Sequence, residues 1–318
     1  MNQIQRFHRA PIRIEQRLAN RYLQLYYCPD DFIRLIIFPT FELNTMPQPK
    51  VCVLRAPGTN CDVETAFAFA SAGGDAQRVH LFQLLESPSL LNDYQVLCIP
   101  GGFSYGDDVG AGVIFAGQLR VKLGEILGEF LAADKLVLGI CNGFQVLLKA
   151  GILPGGGETW QPGAKRDPVA TLTWNDNGKY TARWVTLGCH GSNSVFLQGI
   201  DEIDLPIAHA EGRIVVPDPA TVEYWLDRGQ VALCYREPAM ATTAVGELTS
   251  TAVSFPANPN GSGGNIAGLS DPTGRVLGLM PHPERFIHGT QHPQWTRRPQ
   301  ADDGDGIKLF RNAIAYFE

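Results

Sequence analysis

The sequence predicts an α/β protein with a mostly parallel central sheet, helices on both faces and an added β-rich region. Three observations carry this. From residue 50, short continuous apolar runs alternate with amphipathic stretches, the texture of strands buried on both faces. Strand and helix alternate in order as far as Gly151, which is what parallel pairing requires. After Gly151 the chain becomes β-rich, with turn signals between short apolar runs.

Residues 51–54 are a β-branched run ending at Ala-Pro-Gly and read as the first strand. Residues 62–72 read as a helix, with Asn60 as its cap and Gly73-Gly74 as its stop. Residues 76–81 read as a second strand and 95–99 as a third, which ends abruptly at Pro100-Gly101-Gly102. Apolar residues at helical spacing predict one long helix over 112–132. Residues 136–140 form a fourth strand, followed without pause by Cys141 and the helical run 144–150. Beyond it, residues 170–173, 182–187, 206–210 and 231–235 read as strands, with a turn at 175–178. Residues 239–251 are polar and small, and 256–264 form a Gly/Asn/Pro-rich loop. Residues 266–270 and 275–280 predict a hairpin around Asp271-Pro272-Thr273-Gly274, and 306–317 a closing amphipathic helix. No linker composition interrupts 150–318, so one domain with an inserted β region is the simplest organisation.

Composition narrows the function. With 318 residues and a hydrophobic fraction of 44 %, the chain can bury a core without disulfide staples. A net charge of −6 argues against a nucleic-acid partner, which calls for a basic patch. The seven cysteines are odd in number and include no CxxC pair, against both a disulfide framework and a zinc site. A reducing, cytoplasmic compartment fits best. No apolar run reaches the length of a membrane span.

Residues 1–45 differ in texture from the rest. Arg6, Arg9, Arg13, Arg17 and Arg21 are spaced by three or four and would share one face of a helix. An Arg-rich transit peptide is one reading, opposed by the absence of serine and the presence of Glu15. The other reading, which we prefer, is that the protein starts at Met46 and that 1–45 lie outside the catalytic domain, 46–318.

Two segments combine structural punctuation with reactive side chains. In Leu-Gly-Ile-Cys-Asn-Gly-Phe-Gln, residues 138–145, a buried strand enters a helix with only Cys141 at the junction. Such a turn is sharp and needs small neighbours, here Gly139 and Gly143. It pushes the thiol out at the carboxyl edge of the sheet, where open α/β sheets place their ligands. There it meets a helix N-terminus, whose partial positive charge stabilises an anion. The N–H of Asn142 then faces an oxyanion formed at the thiol's target. A buried structural cysteine is the plain alternative. In Gly-Leu-Met-Pro-His-Pro-Glu-Arg, residues 278–285, two prolines frame His282 at the end of an apolar strand. Glu284, two residues on, would project to the same side of an extended segment. It would orient one imidazole nitrogen while the other faces the thiol, the logic of nucleophile, base and orienting group. A chance His and Glu in a surface loop is the bland reading, and the rigid frame speaks against it. Gly101 and Gly102 end the third strand at the same sheet edge, where glycine lets backbone N–H groups approach a ligand and contribute an oxyanion donor.

Together these residues resemble class I glutamine amidotransferases. They are most similar to the family of glutaminase components of phosphoribosylformylglycinamidine synthase, of purine biosynthesis. The resemblance rests on Ala-Pro-Gly-Thr-Asn-Cys-Asp (56–62), Pro-Gly-Gly-Phe-Ser-Tyr-Gly-Asp (100–107) and Gly-Ile-Cys-Asn-Gly-Phe-Gln (139–145). Pro-Ile-Ala-His (206–209), Asn-Pro-Asn-Gly-Ser with Ile-Ala-Gly-Leu (258–269) and Met-Pro-His-Pro-Glu-Arg (280–285) continue it, so it runs from residue 50 to the C-terminus. It implies a flavodoxin-like fold with Cys141 as nucleophile, His282 as base, Glu284 orienting it and Gln145 lining the glutamine pocket. It also implies a glutamyl thioester and ammonia passed to a separate synthetase subunit that uses ATP and magnesium. A small third subunit completes such complexes, and no cofactor is implied in this chain. Contact with the synthetase is expected around Phe103 to Asp108. The family usually has Gly where Ala210 follows His209, and residues 175–184 and 189–197 look more like the large fused form. The rival readings are a stand-alone cysteine hydrolase, which would lack Met-Pro-His-Pro-Glu, and an inactive binding subunit, which would lack a triad member.

Overall fold

The computed structural model describes residues 14–18, 21–25, 48–163, 168–189, 191–238, 244–251, 253–299 and 301–318. The chain divides into two units, residues 1–47 and Gln48–Glu318. In the first, β1 (Ile14–Leu18) pairs antiparallel with β2 (Arg21–Leu25). This corrects the helical reading of the arginines. Arg17 stands opposite Tyr22 and Arg21 opposite Leu18. Two residues separate the strands, the length of the shortest hairpin connection. Arg6, Arg9, Arg13 and the apolar patch at 32–38 lie outside the described residues.

The second unit runs in order through β3 (Lys50–Arg55), α1 (Asp62–Ser71), β4 (Asp75–His80), α2 (Leu81–Glu86), β5 (Val96–Ile99), α3 (Val113–Lys122) and α4 (Gly124–Ala132). There follow β6 (Leu136–Ile140), α5 (Asn142–Ala150), α6 (Gly156–Thr159), β7 (Thr171–Thr173), β8 (Thr181–Gly188), β9 (Glu202–His209) and β10 (Arg213–Val215). The chain closes with α7 (Pro219–Asp227), β11 (Val231–Arg236), α8 (Val245–Ser250), β12 (Ile266–Ser270), β13 (Val276–Leu279) and α9 (Ile307–Ala315).

Nine strands form one sheet in the order β4-β3-β5-β6-β13-β12-β11-β8-β9. From β4 to β13 every pairing is parallel. From β13 to β9 every pairing is antiparallel. The β-rich region therefore extends the sheet instead of forming a layer of its own, apart from the small β7–β10 pair. Burial follows position. Every residue of β5, β6, β11, β12 and β13 is buried, whereas the edge strand β9 alternates. Helix α1 packs on α9, with Phe69 and Phe310 edge to face at 4.8 Å, and α3 packs on α5.

Three local expectations need correction. The long helix is broken at Leu123 (φ −116°, ψ 12°), and α4 restarts at Gly124. The Gly124 carbonyl is engaged by the Trp160 indole N–H at 2.9 Å, and a Cβ at Gly124 would stand 3.1 Å from Pro162. A neighbouring segment thus occupies the space a continuous helix would need. The N-cap residue of α1 is Cys61, not Asn60; Cys61 O accepts from Thr65 N at 3.0 Å. Helices α7 and α8 were not expected from periodicity. Helix α7 does carry a start signal, Asp218 accepting from Ala220 N at 3.0 Å with Pro219 next.

The join between β6 and α5 depends on close backbone approach. A Cβ at Gly143 would fall 1.8 Å from the Ile99 carbonyl oxygen, and one at Gly139 2.8 Å from the Gly143 backbone. Gly143→Ala is therefore expected to destabilise the fold by about 1–3 kcal/mol or more through overpacking. Urea denaturation monitored by circular dichroism measures this directly, and an unchanged midpoint would contradict the packing described.

Candidate active site

Strand β6 carries Cys141 to the edge of the sheet, and α5 begins at the next residue. The chain reverses so sharply there that Cys141 has φ 51° and ψ −104°. Such a conformation in a non-glycine residue costs about 1–3 kcal/mol and persists only when its surroundings over-determine it. They do so here: the Cys141 N–H donates to Leu279 O of β13 at 2.8 Å, and Gln145 N donates to Cys141 O at 3.2 Å. The thiol is directed toward β9, with Sγ 3.8 Å from Ala208 O.

Three residues beyond β13's last residue, Leu279, His282 is held by its own N–H, which donates to Pro206 O of β9 at 2.8 Å. Its Nδ1 lies 2.6 Å from Glu284 Oε1, and both side chains are buried. The sequence reading expected this contact from an extended segment. Pro283–Arg285 is instead a 3₁₀ turn, closed by Arg285 N donating to His282 O at 3.2 Å. The pair forms because the turn brings the carboxylate back, not because i and i+2 share a strand face. Burial alone would lower the imidazole pKa. The Glu284 carboxylate and then Cys141 outweigh burial and push it well above the ordinary value. The Nε2 atom is buried without a hydrogen-bond partner among the described residues.

A cavity of about 380 Å³ opens onto these groups, lined among others by Cys141, His282, Gly102, Gln145, His209 and Cys61. Gly102 reaches it directly. Gly101 lies behind, where a Cβ would stand 2.8 Å from His282 Cε1; its absence makes room for the ring. Gly101 O also accepts from Cys61 N at 3.2 Å. Asn142 and Gln145 act as a unit: Asn142 Nδ2 donates to Gln145 Oε1 at 2.9 Å, and Gln145 Nε2 to Glu211 O at 2.6 Å. The Asn142 side chain also accepts from Ser104 N at 3.3 Å, tying α5 to the glycine-rich loop. A larger cavity, about 730 Å³, lies around the end of α5 and α7. Among its described lining residues there is neither cysteine nor histidine, whereas the smaller cavity brings Cys141 and His282 together and is the candidate site.

Sequence reasoning missed three cavity residues as chemistry. Cys61 accepts from Arg285 Nη2 at 3.1 Å and lies against His282; burial raises its pKa against the effect of that imidazole. Asp107, in a left-handed conformation at φ 55°, is raised by burial and by Glu211. His209 is buried, with Nδ1 3.1 Å from Asn175 Oδ1. All three lie inside the family motifs, but nothing local in the sequence marks them as lining the cavity. Ala210 follows His209 without a left-handed backbone, so it takes the usual glycine's place unstrained. Cys61, His282 and Glu284 offer ligand atoms within 4.8 Å of one another. The six described cysteines are free thiols. No described helix is long and apolar enough to cross a membrane.

A strained cysteine and a buried histidine–carboxylate pair opening on one cavity at the end of a parallel sheet have the make-up of a thiol-dependent hydrolase or transferase site. Residues 48–317 match the family model of the CobB/CobQ-like glutamine amidotransferase domain, and the chain belongs to this family. It is 42 % identical to the phosphoribosylformylglycinamidine synthase subunit PurQ of Dehalococcoides mccartyi, over 85 % of this chain and 98 % of that one. It is 36 % identical to the subunit of the same name from Methanococcus maripaludis, over 85 % and 97 %. Among solved structures, PurLQS from Thermotoga maritima matches with a TM-score of 0.61 and 29 % identity, over 85 % of this chain and all of that one.

Glu284→Gln removes the charge that raises His282, so the variant imidazole should titrate at lower pH than in the wild type. An NMR titration of His282 reads this direction. The same change should lower the rate by about 10²–10⁴-fold, the usual worth of a positioned base.

Proposed function

We propose that this chain is the glutaminase subunit of phosphoribosylformylglycinamidine synthase in purine biosynthesis. The carrying observation is the conjunction of Cys141 in its strained turn with the buried His282–Glu284 pair, 2.6 Å apart, on one cavity. Cys141 gives its proton to His282 and attacks the side-chain carbonyl carbon of glutamine. The oxyanion is met by N–H groups at Gly102 and at Asn142, the first residue of α5. As the tetrahedral intermediate collapses, the C–N bond breaks and His282 returns the proton to the leaving nitrogen, releasing ammonia. Water, activated by the same imidazole, then hydrolyses the thioester to glutamate and free thiol. Glu284 holds the imidazole in orientation throughout, and Gln145 lines the glutamine pocket.

Ammonia passes to a synthetase subunit that uses ATP and magnesium, in a complex that a small third subunit completes. Docking is expected at the rim of the cavity, where Phe103 is 45 % exposed and Trp174 59 %. Large exposed aromatic groups around a polar cleft suit a protein partner. A reducing cytoplasm suits a free-thiol nucleophile.

The test is glutamate release from glutamine by wild type and Cys141→Ala, with and without the synthetase subunit. Release that rises with the partner and disappears in the variant is the expected result. No release by the wild type with its partner present would overturn the assignment.

A further inference from the structure

His209 stands at the end of β9, next to Ala208, whose carbonyl oxygen lies 3.8 Å from the Cys141 thiol. Its environment fixes its tautomer. Asn175 Nδ2 donates to two carbonyl oxygens, Lys179 O and His209 O, each at 2.9 Å. The Asn175 Oδ1 atom must therefore be an acceptor, and it takes the Gly212 N–H at 3.1 Å. The same oxygen lies 3.1 Å from His209 Nδ1, so Nδ1 carries the proton and Nε2 a lone pair. Nε2 is buried with no hydrogen-bond partner among the described residues, in a residue that lines the cavity. A Cβ at Gly212 would fall 2.1 Å from the ring, so the imidazole is packed against backbone and cannot swing away. Burial, then the neighbouring His282, pushes its pKa down to about 3, so the ring stays neutral. A fixed, neutral, unpaired acceptor in a residue that lines the cavity asks for a ligand N–H.

Building on the function proposed above, we propose that His209 Nε2 accepts a hydrogen bond from the carboxamide N–H₂ of bound glutamine and so makes His209 a specificity-determining residue. The other acceptor at this wall is Ala208 O. Together they distinguish an amide from a carboxylate or an ester, which present oxygen lone pairs where the amide presents hydrogens. Product glutamate meets the same two acceptors and gains nothing from them, which favours its release.

The test uses the complex with the synthetase subunit and two substrates, glutamine and glutamate γ-methyl ester, which lacks the N–H₂. His209→Asn keeps a polar group near Nδ1 but removes the acceptor; His209→Gln can place its amide oxygen near the Nε2 position. H209N should lower kcat/KM for glutamine about tenfold to a hundredfold. It should leave the ester within about twofold, and H209Q should recover part of the loss. Equal losses on both substrates, or no loss on glutamine, would overturn the proposal. A wild type inactive on glutamine would instead defeat the glutaminase reading. Should H209N not fold, nitrogen NMR of His209 in the Cys141→Ala complex carries the test. The Nε2 resonance should shift on adding glutamine and stay in place with the ester, and the reverse or an equal response overturns the proposal.

Discussion

The backbone hydrogen bond from the Cys141 N–H to Leu279 O fixes how the ends of β6 and β13 meet, and with them Cys141 and His282. It continues the parallel ladder in which Ile140 stands opposite Leu279. Because the register is fixed at this point, the residue after β6 and the third residue after β13 arrive at the same sheet edge. A shift by one residue would turn every side chain of β13 to the other face and separate His282 from the thiol. The strained φ of Cys141 is the local consequence, sustained because the glycines on either side let α5 sit directly on β5 and β6.

Strand β13 is also where the sheet changes character, parallel to β6 on one side and antiparallel to β12 on the other. The antiparallel half returns through β11 and β8 to β9, whose Pro206 O fixes His282 N and whose Ala208 O flanks the thiol. The loop after β9 is braced from behind. Asn260, fully buried, donates to Gly212 O at 2.8 Å and to the Tyr235 hydroxyl at 3.1 Å. The Ser262 hydroxyl accepts from Ile214 N at 3.1 Å. The Asn-Pro-Asn-Gly-Ser segment thus supplies buried polar partners to the loop at Gly212 and to the short strand β10 that follows it. Such networks specify one geometry when every member is satisfied.

The parallel half was legible because its signals are local. The run Leu136–Ile140 ends at the residue where the helix begins, and His282 with Glu284 is framed by prolines in four consecutive residues. What escaped depends on residues distant in sequence. The break at Leu123 is set by Trp160 and Pro162, some forty residues on. Helix α8 lies in a stretch whose polarity reads as loop, although Val245 and Leu248 are buried one turn apart. Cys61 is placed against His282 by long-range contacts, its N–H to Gly101 O and its sulfur to Arg285, which also holds Glu64. His209 was quoted as part of a motif, yet its tautomer is written by Asn175, which periodicity assigned merely to a turn. The relation of Glu284 to His282 was legible as a pairing and not as a geometry, since spacing alone does not separate an extended segment from a 3₁₀ turn.

The two halves of the sheet therefore divide the work by kind of atom. The parallel half brings the Cys141 thiol and, under the proposed function, the backbone donors at the start of α5 and in the glycine-rich loop. The antiparallel half brings acceptors, Ala208 O and the His209 ring, and the strand at the junction leads to His282, the proposed base. A thiol elbow with donors alone would attack any activated carbonyl. An amide differs from an ester or acid in its N–H groups, and only a wall of fixed acceptors can read them. The Cys141 thiol is directed toward β9, so the acceptors beside it stand on the antiparallel half. On the reading proposed above, the extension of the sheet beyond β13 carries, on β9, the two acceptors that would tell an amide from an ester.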